Sequence, residues 1–290
     1  MHIHTVGDYY DTPGDQPPDL KAQVKDATGQ SVRRIGRFIQ LALIGAGRCV
    51  GKATLPVETA VYFASGRGDM EITIEVMQQL FRDGVPPKPL SFINTVSNAA
   101  CFYVAQSFSL EGRSSFICNR YFAFESALQL AMLDLESGVV DSALVGVVDA
   151  VVPPLSHHRQ RLQLDARAPV ADASHWLWLG REHNTGPGEI LAVRHCADWS
   201  ALMDWIAEKN LPQAHTQLSA GQFLKPSDGA ALRDRWGFGN FEYRTPRAYH
   251  DSHSGAVISE FLHAENASQF LLHINGDDDG RYSLMLAGRH

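Results

Sequence analysis

The run Ser114-Ser115-Phe116-Ile117-Cys118-Asn119-Arg120-Tyr121-Phe122-Ala123-Phe124-Glu125-Ser126-Ala127-Leu128-Gln129-Leu130-Ala131 changes periodicity within a few residues. Ser114 to Cys118 reads as a short buried strand. A helix follows at once, from about Phe122 to Glu136. Ala127, Leu128, Leu130, Ala131 and Leu133 lie on its inner side, and Gly138 ends it. Asp141 to Val147 is then a nearly unbroken apolar run, the pattern of a strand covered on both faces. Strand, helix and strand in direct succession predict an α/β layered domain with crossover connections.

The same grammar extends outward. Thr59 to Ala64 is a short apolar strand that runs into Ser65-Gly66-Arg67-Gly68, and Asp69 opens a helix to about Arg82, ahead of Gly84 and Pro86-Pro87. The Ser65–Gly68 stretch has one glycine pair only, so it reads as a tight turn rather than a phosphate cradle. Ser31 to Gly47 carries Ile35, Phe38, Ile39, Leu41, Ala42 and Ile44 at helical spacing, with Ser31 as N-cap and Arg33, Arg34 and Arg37 opposite. Residues 1–30, rich in Pro, Gly and Asp, read as irregular. A further helix is expected from Thr95 to Phe108.

On the C-terminal side, Pro153 to Ala173 looks like an excursion, with His157 and His158 in a solvated loop. Trp176 to Leu179 and Ile190 to Val193 are expected to pair antiparallel. A second α/β series follows: helix Ser200–Lys209, strand Gln213–Ser219, helices Asp228–Arg235 and Ser254–His263, and a hairpin with arms Gln269–Asn275 and Arg281–Leu286. Asp277-Asp278-Asp279 at its tip reads as a solvated turn rather than a calcium loop. The division is a segment 1–30, a first half 31–195 and a reduced second half 196–290, in one compact unit with internally duplicated architecture.

Composition excludes several classes. Hydrophobic residues at 44% and charged residues at 20% fit a globular chain and exclude wholesale disorder. A net charge of −7 argues against a global grip on nucleic acid or anionic lipid. Cys49, Cys101, Cys118 and Cys196 match no zinc spacing and no disulfide scaffold, so neither metal nor cofactor is expected. The start lacks a cationic, apolar leader, and the longest apolar run, Phe38 to Ala46, is too short for a bilayer, so a cytoplasmic location is expected.

These residues resemble a known family. Ser97-Asn98-Ala99-Ala100 is similar to a helix start of the β-ketoacyl synthases, the condensing enzymes of the thiolase fold. Ala127 to Ala131, then Glu136-Ser137-Gly138 and Asp141 to Gly146, resemble the helix behind their nucleophile and the next strand. Asp172-Ala173-Ser174-His175-Trp176-Leu177-Trp178-Leu179 resembles the Glu-Gly-Ser-Gly-Trp-Leu stretch that follows. The resemblance covers about 31–195 and implies a thiolase-like α-β-α-β-α architecture with a reduced C-terminal half.

The chain departs from the family where chemistry should occur. A condensing enzyme holds a nucleophilic cysteine at the strand-to-helix turn, where a helix N-terminus lowers the thiol pKa. Counting back from Ala127, that position is Tyr121. A phenol with a pKa of about 10 is a poor acyl acceptor. Cys118, three residues earlier, is expected to be a buried, inert thiol. The family's two histidines have no clean counterparts. The candidate stretch is Tyr249-His250-Asp251-Ser252-His253-Ser254-Gly255-Ala256, in which His250 and His253 flank Asp251, either as a general base or as part of a helix cap.

The loss of the cysteine is similar to the chain length factors of type II polyketide systems, which pair with a competent ketosynthase. The resemblance implies a non-catalytic partner subunit for polyketide or fatty-acid-like synthesis, in a heterodimer with an active ketosynthase or with itself, served by an acyl carrier protein. Tyr121, Phe122 and Phe124 would close or line the partner's acyl tunnel, Ser97, Asn98 and Cys101 would pack at the interface, and the strand Phe116 to Cys118 would pair with its equivalent. The basic cluster Arg33, Arg34, Arg37, Arg48 and Lys52 is either a solvated face or a landing site for that acidic carrier. Two alternatives remain: an atypical condensing or acyl-transfer enzyme using Cys118 with His250 or His253, and a homodimeric acyl-binding protein.

Overall fold

A computed structural model describes residues 1–96, 98–182, 185–241, 248–265 and 268–290. Ten strands occur among the described residues: β1 (His2–Asp11), β2 (Ala60–Ser65), β3 (Ser114–Cys118), β4 (Ser142–Asp149), β5 (Asp172–Gly180), β6 (Gly188–Cys196), β7 (Thr216–Ala220), β8 (Gly239–Asn240), β9 (Phe270–Gly276) and β10 (Tyr282–Arg289). The α-helices are α1 (Lys21–Thr28), α2 (Arg37–Val50), α3 (Met70–Phe81), α4 (Pro89–Asn94), α5 (Ala99–Ser107), α6 (Ala123–Glu136), α7 (Leu155–Arg161), α8 (Trp199–Lys209), α9 (Pro226–Trp236) and α10 (His253–His263).

The strand order is β3-β2-β4-β5-β1-β6-β10-β9-β7-β8. Taken from its two ends, this is one pattern written twice. In each set of five, counted along the chain, the order is third, second, fourth, fifth, first. β2 is parallel to β3 and β4, while β5 is antiparallel to β4 and β1. β7 is parallel to β8 and β9, while β10 is antiparallel to β9 and β6. The halves join where His2 and Ile3 pair with Glu189 and Gly188. In space the two sets of five meet at β1 and β6, and along the chain the first set ends with β5 and the second begins with β6.

The halves fold over a shared middle layer. α6 lies against β2, β3 and β4 of one half and β6 and β10 of the other, and α10 touches β1, β5 and β9. Their apolar faces merge in one core that includes Phe124, Leu128, Val257 and Phe261. α1, α2 and α5 cover the outer side of the first half, and α8 and α9 cover that of the second. The result is the α-β-α-β-α layering expected. β2 and the first seven residues of β4 are buried throughout, as their unbroken apolar sequence required.

Residues 1–30 are not irregular: they hold β1 and α1. One other expectation falls with that one. β5 and β6 do not pair with each other, because β1 runs between them. β1 reads poorly as a strand because Gly7 interrupts its alternation. A Cβ on Gly7 would lie 2.1 Å from the Cys49 amide nitrogen, so the glycine lets α2 cross the sheet at backbone contact. Similarly, Trp176 sits against Gly146, where a Cβ would meet its ring at 2.1 Å.

α2 starts at Arg37 with Gly36 as N-cap, not at Ser31. Nor is Arg37 on a solvated face. It is buried, donating from Nε (2.8 Å) and Nη2 (2.5 Å) to Asp172 and from Nη1 to the Pro18 carbonyl (2.8 Å). It thus ties the N-terminal segment to β5. β3 is not a buried strand either. It is the last strand of the sheet, with Ser114 and Cys118 exposed. Its apolar residues raised an expectation of two neighbours, and it has one within the chain. His157 and His158 sit in α7 rather than in a loop.

Candidate functional site

The turn from β3 into α6 sits where sequence placed it. The Asn119 amide donates to the Ser65 carbonyl (3.2 Å), and the Asn119 side-chain oxygen accepts from the amides of Tyr121 (3.1 Å) and Phe122 (3.4 Å). That local turn fixes Tyr121 just ahead of the helix. Its ring stands edge-on to Phe223 at 4.9 Å, under the Arg120 guanidinium at 5.2 Å. Its hydroxyl donates to Asp278, which raises the phenol pKa further. A phenol held this way stays protonated and is no nucleophile. Phe122 is buried near His195 (5.7 Å) and helps line a cavity of about 310 Å³ with Tyr121, Ser126 and Tyr282. Phe124 points instead into the central core.

Beneath the turn lies a polar cluster that sequence reading passed over. Glu125, in the first turn of α6, is buried and accepts from Ser254 Oγ (2.7 Å) and Asn275 Nδ2 (3.4 Å). Burial pushes its carboxyl up to about 7. Asn275 also donates to the Tyr121 carbonyl (2.9 Å), so β9 and the turn are tied directly. His273 lies between two hydroxyls, with Nε2 3.1 Å from Ser254 and Nδ1 3.2 Å from Ser219. Glu125 and His273 Nε2 thus meet at the one Ser254 hydroxyl. Glu125 could have been found from sequence: with Leu128, Met132 and Leu135 it occupies the buried stripe of α6.

His250 and His253 are buried members of a row of imidazoles. Ring centroids lie 5.8 Å apart from His175 to His250, 6.3 Å from His250 to His253 and 6.0 Å from His253 to His273. His175 binds Asp8 at 2.7 Å at one end, and His273 lies 3.9 Å from Glu125 at the other. Asp251 accepts from Arg67 Nε (3.0 Å) and the Tyr249 hydroxyl (2.6 Å), and the N-cap residue of α10 is Ser252, with no side-chain cap bond.

Cys118 is exposed at the end of β3, which corrects its expected burial. Partial desolvation raises its thiol pKa, with the Asp149 and Asp251 carboxylates adding to the effect, so it lacks the character of an activated thiolate. Cys101 is buried, its thiol donating to the Ser115 carbonyl at 3.6 Å. It packs inside the chain, and its neighbour Phe102 is exposed. Asn98 is exposed at the start of α5, and Phe116 packs on Phe63 at 5.3 Å. Ser97 lies outside the described residues. Around β3, the faces of α3 to α5 leave Met77, Phe81, Phe92, Ile93, Val96 and Phe102 exposed.

Among the described residues no group of three or more His, Cys, Asp or Glu could hold a metal ion, and no helix is long and apolar enough to cross a membrane.

No protein-family model and no curated protein matches this chain. Solved structures do. The ishigamide ketosynthase/chain length factor is similar with a TM-score of 0.72, over 92% of this chain and 84% of that one, at 13% identity. A chain of a type II PKS acyl-carrier protein in complex with its ketosynthase bound to the hexaketide gives 0.73, over 99% of both, at 10% identity. A β-ketoacyl synthase from Burkholderia phymatum STM815 gives 0.67, over 97% and 86%, at 13%. This chain has the β-ketoacyl synthase fold. The doubled strand order and the shared layer of α6 and α10 are that thiolase-type architecture in this sequence. The identities fall so low that the fold, not the active-site residues, carries the likeness.

Proposed function

We propose that this chain is a non-catalytic ketosynthase homologue that pairs with a competent β-ketoacyl synthase and acts as its chain length factor. The observation that carries the reading is Tyr121. At the turn where the fold offers a helix N-terminus to a nucleophile, this chain holds a protonated phenol bonded to Asp278. The neighbouring thiol, Cys118, is no substitute, since its pKa is raised.

The partner surface is the exposed edge of β3 together with the apolar faces of α3 to α5. An unpaired strand edge flanked by Phe81 (77% exposed), Phe102 (61%) and Ile93 (60%) is a liability in an isolated chain and a natural docking face in a complex. A ketosynthase subunit would add its own edge strand there. Tyr121 and Phe122, just beyond β3, would then stand close to the joint surface and help bound the space open to the growing chain. An acyl carrier protein would serve the pair through the partner's active site.

The test is intact-protein mass after incubation with an acyl or malonyl carrier-protein thioester, alone and with a candidate ketosynthase. The expected result is no mass gain on this chain, acylation of the ketosynthase, and co-elution of the two. A thioester adduct on this chain that disappears in Cys118→Ala would overturn the reading in favour of an atypical condensing enzyme. A stable homodimer carrying bound lipid, without affinity for a ketosynthase, would replace it with an acyl-binding protein.

A further inference from the structure

A cavity of about 260 Å³ opens at the carboxyl ends of β2 and β4, in the opposite half of the molecule from the 310 Å³ cavity beside Tyr121. By the doubled strand order it is the counterpart of the Tyr121 turn. There the start of α6 meets the end of β9 through Asn275, and here the residues just ahead of α10 meet the end of β2, where Gly66 lies against Asp251. Its lining divides in two. Arg67, Arg161, His158, Tyr249 and Asp149 supply one polar side, and Met70, Leu162 and Ala171 supply an apolar remainder.

Two guanidiniums and two carboxyl groups, Asp149 and Asp251, line the cavity, and they are not evenly paired. Arg67 spends its Nε on Asp251. Arg161 donates only to the Val152 carbonyl (3.2 Å) and has no carboxylate partner among the described residues. Arg159, on the same helix, likewise donates only to the Ala168 carbonyl (2.7 Å). The field of these groups is visible on His158. Burial first, then Arg161, Arg67 and Arg159, drive its imidazole down to about 4, so it stays neutral. Its Nδ1 accepts the Val152 amide (3.3 Å), which leaves the proton on Nε2. Asp149 is the remaining polar group. One oxygen accepts from Ser65 Oγ (2.9 Å) and the Gly66 amide (3.1 Å), while Oδ2 is shut off from solvent without a hydrogen-bond partner. Desolvation and the nearby Asp251 raise this carboxyl well above the ordinary range.

A concave site with an uncompensated guanidinium, further donors and an apolar floor fits one kind of ligand. We infer that this cavity binds a small organic carboxylate, its oxygens on Arg161 and Arg67 and its short hydrocarbon stem against Met70, Leu162 and Ala171. The inference concerns a site apart from Tyr121 and holds whether or not the chain pairs with a ketosynthase.

The test is titration calorimetry on the whole chain at neutral pH with butyrate, succinate, n-butylamine and inorganic phosphate as probes. Butyrate or succinate should bind, and butylamine should not. Arg161→Gln should weaken the carboxylate by roughly tenfold or more, the loss of one charge-assisted contact. Because Arg161 touches only a backbone carbonyl, that variant should unfold at the wild-type midpoint. Leu162→Trp should fill the apolar side and weaken butyrate while leaving every charge in place. The inference is overturned if neither carboxylate binds at millimolar concentration, if Arg161→Gln binds as wild type does, or if phosphate binds as well as butyrate.

Discussion

Replacing Glu125 by Gln should change how stability depends on pH more than it changes the fold. Glu125 is fully buried between α6, α10 and β9, and its carboxyl sits at about 7 instead of about 4.3. For an acid with a raised folded value, the sign is fixed by linkage. Below about pH 4 the group is neutral in both states and costs little. Between the two values the unfolded chain ionises while the folded chain keeps its proton, so stability falls as pH rises. Above about 7 the loss is complete, at roughly 3 to 4 kcal/mol. Between pH 5.5 and 8.5 this one group should cost the wild type about 2 kcal/mol. Gln keeps an oxygen for Ser254 and Asn275 and carries no charge at any of these pH values. Urea unfolding of both proteins at the two pH values, followed by far-UV circular dichroism, reads the difference directly. Glu125→Gln should be the more stable protein at pH 8.5, and the gap should shrink by about 2 kcal/mol at pH 5.5. Parallel pH dependences in the two proteins, or a Gln variant weaker at both pH values by the same amount, would refute the burial of an uncompensated carboxyl.

Three further outcomes follow from the same structure. Gly146→Ala would drive a methyl group into the Trp176 ring and should cost about 3 kcal/mol in chemical denaturation, with loss of near-UV signal from the tryptophan. Arg37→Ala strands the buried Asp172 carboxylate and should cost about 3 to 5 kcal/mol at neutral pH and less in acid, because burial raises that carboxyl and eases its protonation, as thermal melts at neutral and acid pH will read. Phe102→Asp should leave the melting temperature within a few degrees of wild type, because the ring is exposed, yet abolish co-elution with a ketosynthase in light-scattering chromatography.

Much of the site was legible only in outline. Tyr121 was found by counting along a helix, because a turn between a strand and a helix is a local event. Glu125 was visible as a carboxylate on an apolar stripe. His273 and Asn275 were not, since a polar residue in a strand says nothing about what faces it. Asp149 and Arg161 carried no signal of a cavity, because its walls come from β2, β4, α7 and the residues before α10, which lie far apart in sequence.

The sequence alone determined most of the helices and strands outside residues 1–30 and 153–173, because hydrophobic period and capping act within a turn or two of the chain. It thereby determined the alternating α/β series and the doubling of that series. Tertiary structure decided the rest. Only pairing could put β1 between β5 and β6, since Gly7 is a defect in a strand until α2 crosses it. Only the sheet's outer edge could expose β3, whose residues read as interior. Only the packing of α6 against α10 could bring Glu125, Ser254, His273 and Asn275 within reach of one another. The physical reason is common to all three: local patterning reports how a segment meets solvent, while pairing and polar contacts depend on partners that lie well outside the segment itself.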